Sequence, residues 1–199
     1  MTDRFAEVID GLVARGFVVL RHWLDTPLRQ ALRSELLIRS DELQRSRIGR
    51  QDDHQQRPDI RNDQTLWLSG QSLQQQQYLQ QMQALQQALN QQLFLGLRDF
   101  ECHFAHYPPG HFYQTHLDAF RGQSNRVVSC VVYLNESWPT EQGGELVIYD
   151  HQQQPLAVVK PEPGTLVCFM SEDFPHEVRP SPADRYSIAG WFRRDRPLL

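Results

Sequence analysis

The chain has 199 residues, with 20 basic and 24 acidic side chains, a formal charge of −4 and 40% apolar residues. That balance excludes a protein whose main affinity is a broad basic field for nucleic acid or an anionic membrane, and no apolar run approaches the roughly twenty residues that span a bilayer. The opening MTDRFAEVIDG carries acids and lacks an apolar signal core, so a cytoplasmic location is expected. Cys102, Cys130 and Cys168 lie far apart without a CxxC pair and read as buried thiols.

Phe5, Val8, Ile9, Leu12 and Val13 recur at helical spacing after a candidate cap at Thr2 or Asp3, and Gly16 is placed to end that helix. Phe17–Leu20 is a β-type run. Asp25-Thr26-Pro27 opens a second helix, since Pro in the first turn lacks only an N–H that has no partner there; Leu28, Ala31, Leu32, Glu35, Leu36 and Leu43 carry it onward. Residues 46–63 are polar, rich in Arg, Asp and Gln, and without sustained period, which predicts a long surface loop. Between Gln71 and Gln92 stand 12 glutamines in 22 residues, a composition that invites a low-complexity reading. Yet Leu73, Tyr78/Leu79, Met82, Leu85, Leu89 and Leu93 recur every three or four positions, and Ser72 with Gln75 resembles a capping box. An amphipathic helix with a solvated glutamine face, stopped by Gly96, is therefore predicted.

After Leu97 the texture becomes β. Residues 99–107, 126–135, 145–149, 156–160, 165–170, 177–179 and 185–192 are β-branched or aromatic runs separated by Pro, Gly, Asn and Asp turns. Seven or eight strands at this spacing predict a jelly-roll sandwich or barrel, with the helical first half covering one sheet: an α+β fold.

Within that β half, His116-Leu117-Asp118 places two metal-competent side chains at i and i+2, on one side of an extended segment. His176 follows 60 residues later, and Arg185 nine beyond it. Two imidazoles and a carboxylate form a facial triad suited to non-haem Fe(II), with positions left open for co-substrate and oxygen. A structural zinc would ask for cysteines or a fourth ligand, and no Cys is suitably spaced. A guanidinium at Arg185 can clamp a carboxylate through two bonds, as a lysine cannot. His22, His54, His103, His106, His111 and His151 read as surface or hydrogen-bonded core residues.

The run Tyr107-Pro-Pro-Gly110, His116-Leu-Asp118, Arg126 to Asn135, Trp138, Gly143-Gly-Glu-Leu146, Pro161-Glu-Pro-Gly164, His176-Glu-Val178 and Arg185 to Trp191 resembles the 2-oxoglutarate- and Fe(II)-dependent dioxygenases. The similarity is to the prolyl 4-hydroxylase group related to the hydroxylases of hypoxia-inducible factor. It implies a double-stranded β-helix (cupin-like jelly roll) with supporting helices, 1–199 forming one domain: a mostly helical support (1–98) with a substrate loop (46–68), then a catalytic core (99–195). It also implies that His116, Asp118 and His176 hold Fe(II), that Arg185 and Tyr133 bind the distal carboxylate of 2-oxoglutarate, and that Tyr107 walls the pocket. Arg126 and Trp191 would line the entrance for the target proline, with Arg61, Asp63 and Trp67 on the covering segment. Val131, Leu146 and Ile188 are expected to make the pocket apolar.

The implied reaction is 4-hydroxylation of a prolyl residue in a protein, coupled to O2 use and decarboxylation of 2-oxoglutarate to succinate and CO2. Ascorbate is the expected reductant, oxygen sensing an expected role, and a translation factor an expected partner; no membrane or nucleic acid partner is expected. Two other readings stand beside it. One is hydroxylation of a free amino acid or small molecule, or nucleic-acid demethylation with Arg39, Arg45, Arg47, Arg50, Arg57 and Arg61 as a basic rim. The other is a non-enzymatic interaction module built on the glutamine helix.

Overall fold

A computed structural model describes residues 4–45, 60–119 and 124–195. The candidate caps Thr2 and Asp3, His54, and positions 46–59 of the expected substrate loop lie outside the described residues. Helix α1 (Arg4–Arg15) ends where Gly16 takes φ +75° and its N–H closes on the Leu12 carbonyl at 2.9 Å. Strand β1 (Phe17–Leu20) follows, and then α2 (Thr26–Ile38), whose first turn is capped by Asp25 accepting from the Leu28 N–H at 3.0 Å. Leu43 does not extend α2. It follows a short 3-10 turn and still packs on the core, which is why its spacing read as helical.

Helix α3 (Leu73–Leu93) is the glutamine-rich segment, and Tyr78, Met82, Leu85 and Leu89 form its buried stripe. Ser72 accepts from the Gln75 N–H at 3.2 Å, but the Gln75 side chain does not return the bond as a capping box requires. Its Oε1 takes the Ser69 and Gly70 N–H groups, and its Nε2 donates to Glu35 at 2.6 Å. Gln75 is thus wholly buried, an exception to the solvated glutamine face. The helix stops at Phe94 (φ +53°), two residues before Gly96, because the Asn90 amide holds Leu97 through both backbone groups and draws the chain off the axis. Among the described residues no helix is long and apolar enough to cross a membrane.

Short strands β2 (Gln44–Arg45) and β3 (Gln64–Trp67) come from the first half of the chain. The second half supplies eight: β4 (Asp99–Tyr107), β5 (Tyr113–His116), β6 (Arg126–Tyr133), β7 (Leu146–Tyr149), β8 (Pro155–Val159), β9 (Leu166–Met170), β10 (His176–Val178) and β11 (Arg185–Arg193). They form a seven-stranded sheet, β1-β9-β6-β11-β4-β3-β2, and a four-stranded sheet, β5-β10-β7-β8. The first 98 residues are therefore not only a helical support. Residues 64–67, expected in a loop, pair with β4 because Leu66 sits opposite Phe104 and joins the helix-side core.

The two-residue period of the strands sorts the larger sheet into two faces. Cys102, Phe104, Val128, Cys130, Val132, Leu166, Cys168, Ile188 and Phe192 pack under the helices. Ala105, Tyr107, Val131, Tyr133, Val167 and Phe169 face the smaller sheet with Leu146, Ile148 and Val178. All three thiols are buried and free on the helix face, Cys130 and Cys168 with Sγ atoms 3.1 Å apart. Ile188, expected in the pocket, is on the helix face, because it stands three residues from the inward Arg185.

Candidate metal centre and anion pocket

The pairing of β10 with β5 sets His176 directly opposite His116. With Asp118, two residues past His116, their ligand atoms lie within 4.8 Å of one another. His116 Nε2 is 3.6 Å from Asp118 Oδ1, and His176 Nε2 is 3.6 Å from Oδ2. The other ring nitrogens face backbone carbonyls: His116 Nδ1 that of Gln114 at 2.8 Å, and His176 Nδ1 that of Phe174 at 3.0 Å. Each carbonyl selects the tautomer with the proton on Nδ1 and leaves Nε2 as a lone-pair donor. Burial, reinforced by His116, pushes His176 down to about 4, so it stays neutral. Burial works to raise the Asp118 carboxyl, but His176, His116 and the Ser129 hydroxyl outweigh it and hold the group well below the usual carboxylate range.

Four residues that the motif did not single out complete the centre. Ser129 donates to Asp118 Oδ2 at 2.6 Å and meets the Ser171 hydroxyl at 2.9 Å, both serines being buried. Tyr113 stacks on His116 with centroids 3.5 Å apart, and Phe169 lies 4.6 Å from His176. Ser129 and Phe169 share the inward period of Val131 and Val167, so alternation along β6 and β9 was the signal that could have found them.

Arg185 opens β11 and is 2% exposed. Its Nε donates to the Gly144 carbonyl at 2.9 Å and Nη1 to Ser187 Oγ at 3.3 Å. Gly144 (φ +72°) turns that carbonyl inward from a conformation in which a Cβ would lie 2.9 Å from the Trp138 ring. Tyr107 and Tyr133 flank the guanidinium, each ring centroid 5.0 Å from Cζ. No carboxylate of the described residues pairs with Arg185, and the buried Tyr133 hydroxyl has no hydrogen-bond partner among them. Burial pushes both phenols up, so they remain O–H donors. A buried cation beside an unpartnered hydroxyl is a place for an anion.

The remaining expected residues gather toward β3 and the far end of the larger sheet. Arg61 pairs with the fully buried Asp63 at 2.5 and 2.9 Å and lies over Tyr113 at 4.7 Å, a largely buried ion pair. Arg126 stacks on Trp191 at 3.6 Å while Glu101 holds its Nη2 at 2.9 Å. Trp67 is 54% exposed, and Trp191 is buried. The structure thus connects Arg61 to the metal cluster through Tyr113, and keeps Arg126 and Trp67 on the rim.

The family model described as the 2OG-Fe(II) oxygenase superfamily matches residues 102–193, which include the cluster and Arg185. A Pseudomonas putida prolyl-4-hydroxylase structure is 44% identical, with 96% of this chain and 99% of that one covered and a TM-score of 0.87. A Trichoplax adhaerens prolyl hydroxylase, solved with a hypoxia inducible factor oxygen degradation domain peptide fragment, is 25% identical over 95% of this chain and 88% of that one, with a TM-score of 0.83. Egl nine homolog 1 of Rattus norvegicus is 37% identical over 82 residues, 40% of this chain, which spans about a quarter (24%) of that curated relative. Fold, ligand cluster and likeness over nearly the whole chain agree: it belongs to the 2OG-Fe(II) oxygenase superfamily.

Proposed function

We propose that the chain is a 2-oxoglutarate- and Fe(II)-dependent dioxygenase that hydroxylates the 4-position of a prolyl residue in a protein, with residues 1–199 acting as one domain. The observation that carries the reading is the His116–Asp118–His176 cluster beside a buried Arg185 with no acid to pair with among the described residues. Likeness to the Pseudomonas putida prolyl-4-hydroxylase supports the choice of proline.

The residues fit both groups. Two neutral Nε2 atoms and one carboxylate suit Fe(II) in a facial arrangement, and the orphaned Tyr133 hydroxyl beside Arg185 suits the distal carboxylate of 2-oxoglutarate. Iron with 2-oxoglutarate and O2 would supply the oxidant that places an oxygen on a C–H bond. The protein's own work is positioning. The Gln114 and Phe174 carbonyls fix the imidazoles, Ser129 fixes the carboxylate, and Gly144 with Ser187 fixes the guanidinium. Val131, Leu146, Ile148, Val167 and Phe169 exclude water, and no side chain is needed as a general base. Arg61, held in place by the buried Asp63, would meet the substrate together with Trp67, Arg126 and Trp191. Ascorbate as reductant, oxygen sensing, a translation factor as partner and a cytoplasmic site of action belong to the same proposal and rest on the sequence resemblance.

Purified protein with Fe(II), 2-oxoglutarate and an array of proline peptides should release succinate and add one oxygen mass to a peptide. Tight iron binding with no turnover on any proline overturns the reading.

A further inference from the structure

His103 has no role in the site as described, yet it adjoins the residues expected to hold the substrate. It lies on the inner face of β4, 3% exposed, with its ring 5.1 Å from that of Trp67 and 5.5 Å from that of Trp191. The charges of Arg61, Asp63 and Arg126 act on it. Its Nδ1 faces the Phe104 carbonyl at 3.0 Å, which puts the proton there and leaves a lone pair on Nε2. Burial and the nearby Arg61 push its pKa down to about 4, so the ring is neutral at physiological pH. Nε2 makes no hydrogen bond among the described residues. The adjacent indole has the complementary deficit: Trp191 Nε1 can only donate, is buried, and has no acceptor among the described residues. A buried donor without an acceptor, beside an imidazole whose second nitrogen keeps its lone pair, suits a ligand that offers both a donor and an acceptor.

We propose that Trp191 Nε1 and His103 Nε2 form a donor–acceptor pair that reads the backbone of a bound peptide, the indole donating to a substrate carbonyl and the imidazole accepting a substrate N–H. The target proline has no N–H, so the imidazole reads a residue beside it, and His103 is a substrate-binding residue. This assignment rests on the prolyl hydroxylase reading and extends it to the amide groups of the substrate.

The test uses the best-hydroxylated peptide of the proline array and the same peptide N-methylated in turn at each flanking residue. On the wild-type protein, one N-methylation should raise KM about tenfold, the loss of one buried hydrogen bond. His103→Phe, which keeps the ring and deletes the acceptor, should raise KM for the parent peptide by a similar factor and make that N-methylation cost nothing further. His103→Gln should restore part of the difference, and Trp191→Phe should weaken the peptide without removing the N-methyl effect. Fe(II) and 2-oxoglutarate affinities, measured by titration, should stay within twofold of wild type in His103→Phe. A wild-type protein indifferent to N-methylation at every flanking position overturns the pair without needing any variant to fold. So does an N-methylation cost that persists in full in His103→Phe, or iron affinity that falls in step with peptide affinity. Absence of hydroxylation on every proline peptide overturns the enzymatic reading and the pair together, and is told apart by the wild-type array alone.

Discussion

Ser129, on β6, donates its hydroxyl to Asp118 Oδ2 at 2.6 Å across the interior of the sandwich, and Ser171 stands 2.9 Å behind it. The carboxylate is therefore oriented before any metal arrives. Partners of this kind are worth roughly 10–100-fold in metal affinity. Ser129→Ala should weaken Fe(II) or Mn(II) binding by that order with little change in melting temperature, while Ser129→Thr retains the hydroxyl and most of the affinity. Calorimetric titration of the metal-free protein measures it; unchanged affinity in Ser129→Ala would show that the bond orients nothing.

Arg185 is a buried cation whose neighbours are carbonyl, hydroxyl and phenol, and such a group costs folding energy until an anion arrives. Arg185→Met should leave melting temperature unchanged or raised, yet weaken 2-oxoglutarate roughly 10–100-fold, the scale of a charge-assisted pair of hydrogen bonds. Arg185→Lys should recover little, because an ammonium cannot make the two parallel bonds. Binding to N but not to the unfolded chain also predicts that 2-oxoglutarate with Mn(II) raises the wild-type melting temperature and not that of Arg185→Met.

His103 makes stability depend on pH with a defined sign. Its folded value of about 4 lies below the ordinary 6.5, through burial first and Arg61 second, so between those values the unfolded chain binds a proton that the folded chain refuses. This contribution is fully present above pH 6.5, falls as pH drops toward 4 and is flat below, a loss of about 3 kcal/mol at most. His176 is pushed down to about 4 by similar burial, so the His103 part is read as the difference between wild type and His103→Phe in urea unfolding from pH 7 to 4. A difference that does not vary with pH would mean His103 titrates normally.

Gly190 lies on the helix face of β11, between Cys102 and Cys130 in the register, where a Cβ would stand 2.5 Å from Phe100 Cζ and 2.7 Å from Cys102 Cβ. Gly190→Ala should destabilise by about 1–3 kcal/mol through overpacking. The urea midpoint should fall with an unchanged slope.

Much of this was legible in one dimension. The runs that became β4, β6, β7, β8, β9 and β11 announce themselves by β-branched and aromatic residues between turn formers, and HxD, a distant His and Arg nine beyond announce the candidate metal and anion groups. Alternation along β11 also carried information that was easy to misjudge: Ile188 is three residues from Arg185 and must face the helices. Gln75 shows the limit of composition, since nothing local distinguishes the one glutamine that Glu35 draws into the interior from its solvated neighbours on α3.

By itself, then, the sequence determined the class of fold and singled out the candidate ligands, because periodicity and residue chemistry are local properties. Only tertiary structure decided that His176 lies opposite His116, that Ser129 reaches Asp118, that β3 joins the larger sheet, and that His103 and Trp191 stand side by side. Those relations depend on strand register between segments far apart in the chain. Register is set by burial summed over whole faces and has no mark at any single position.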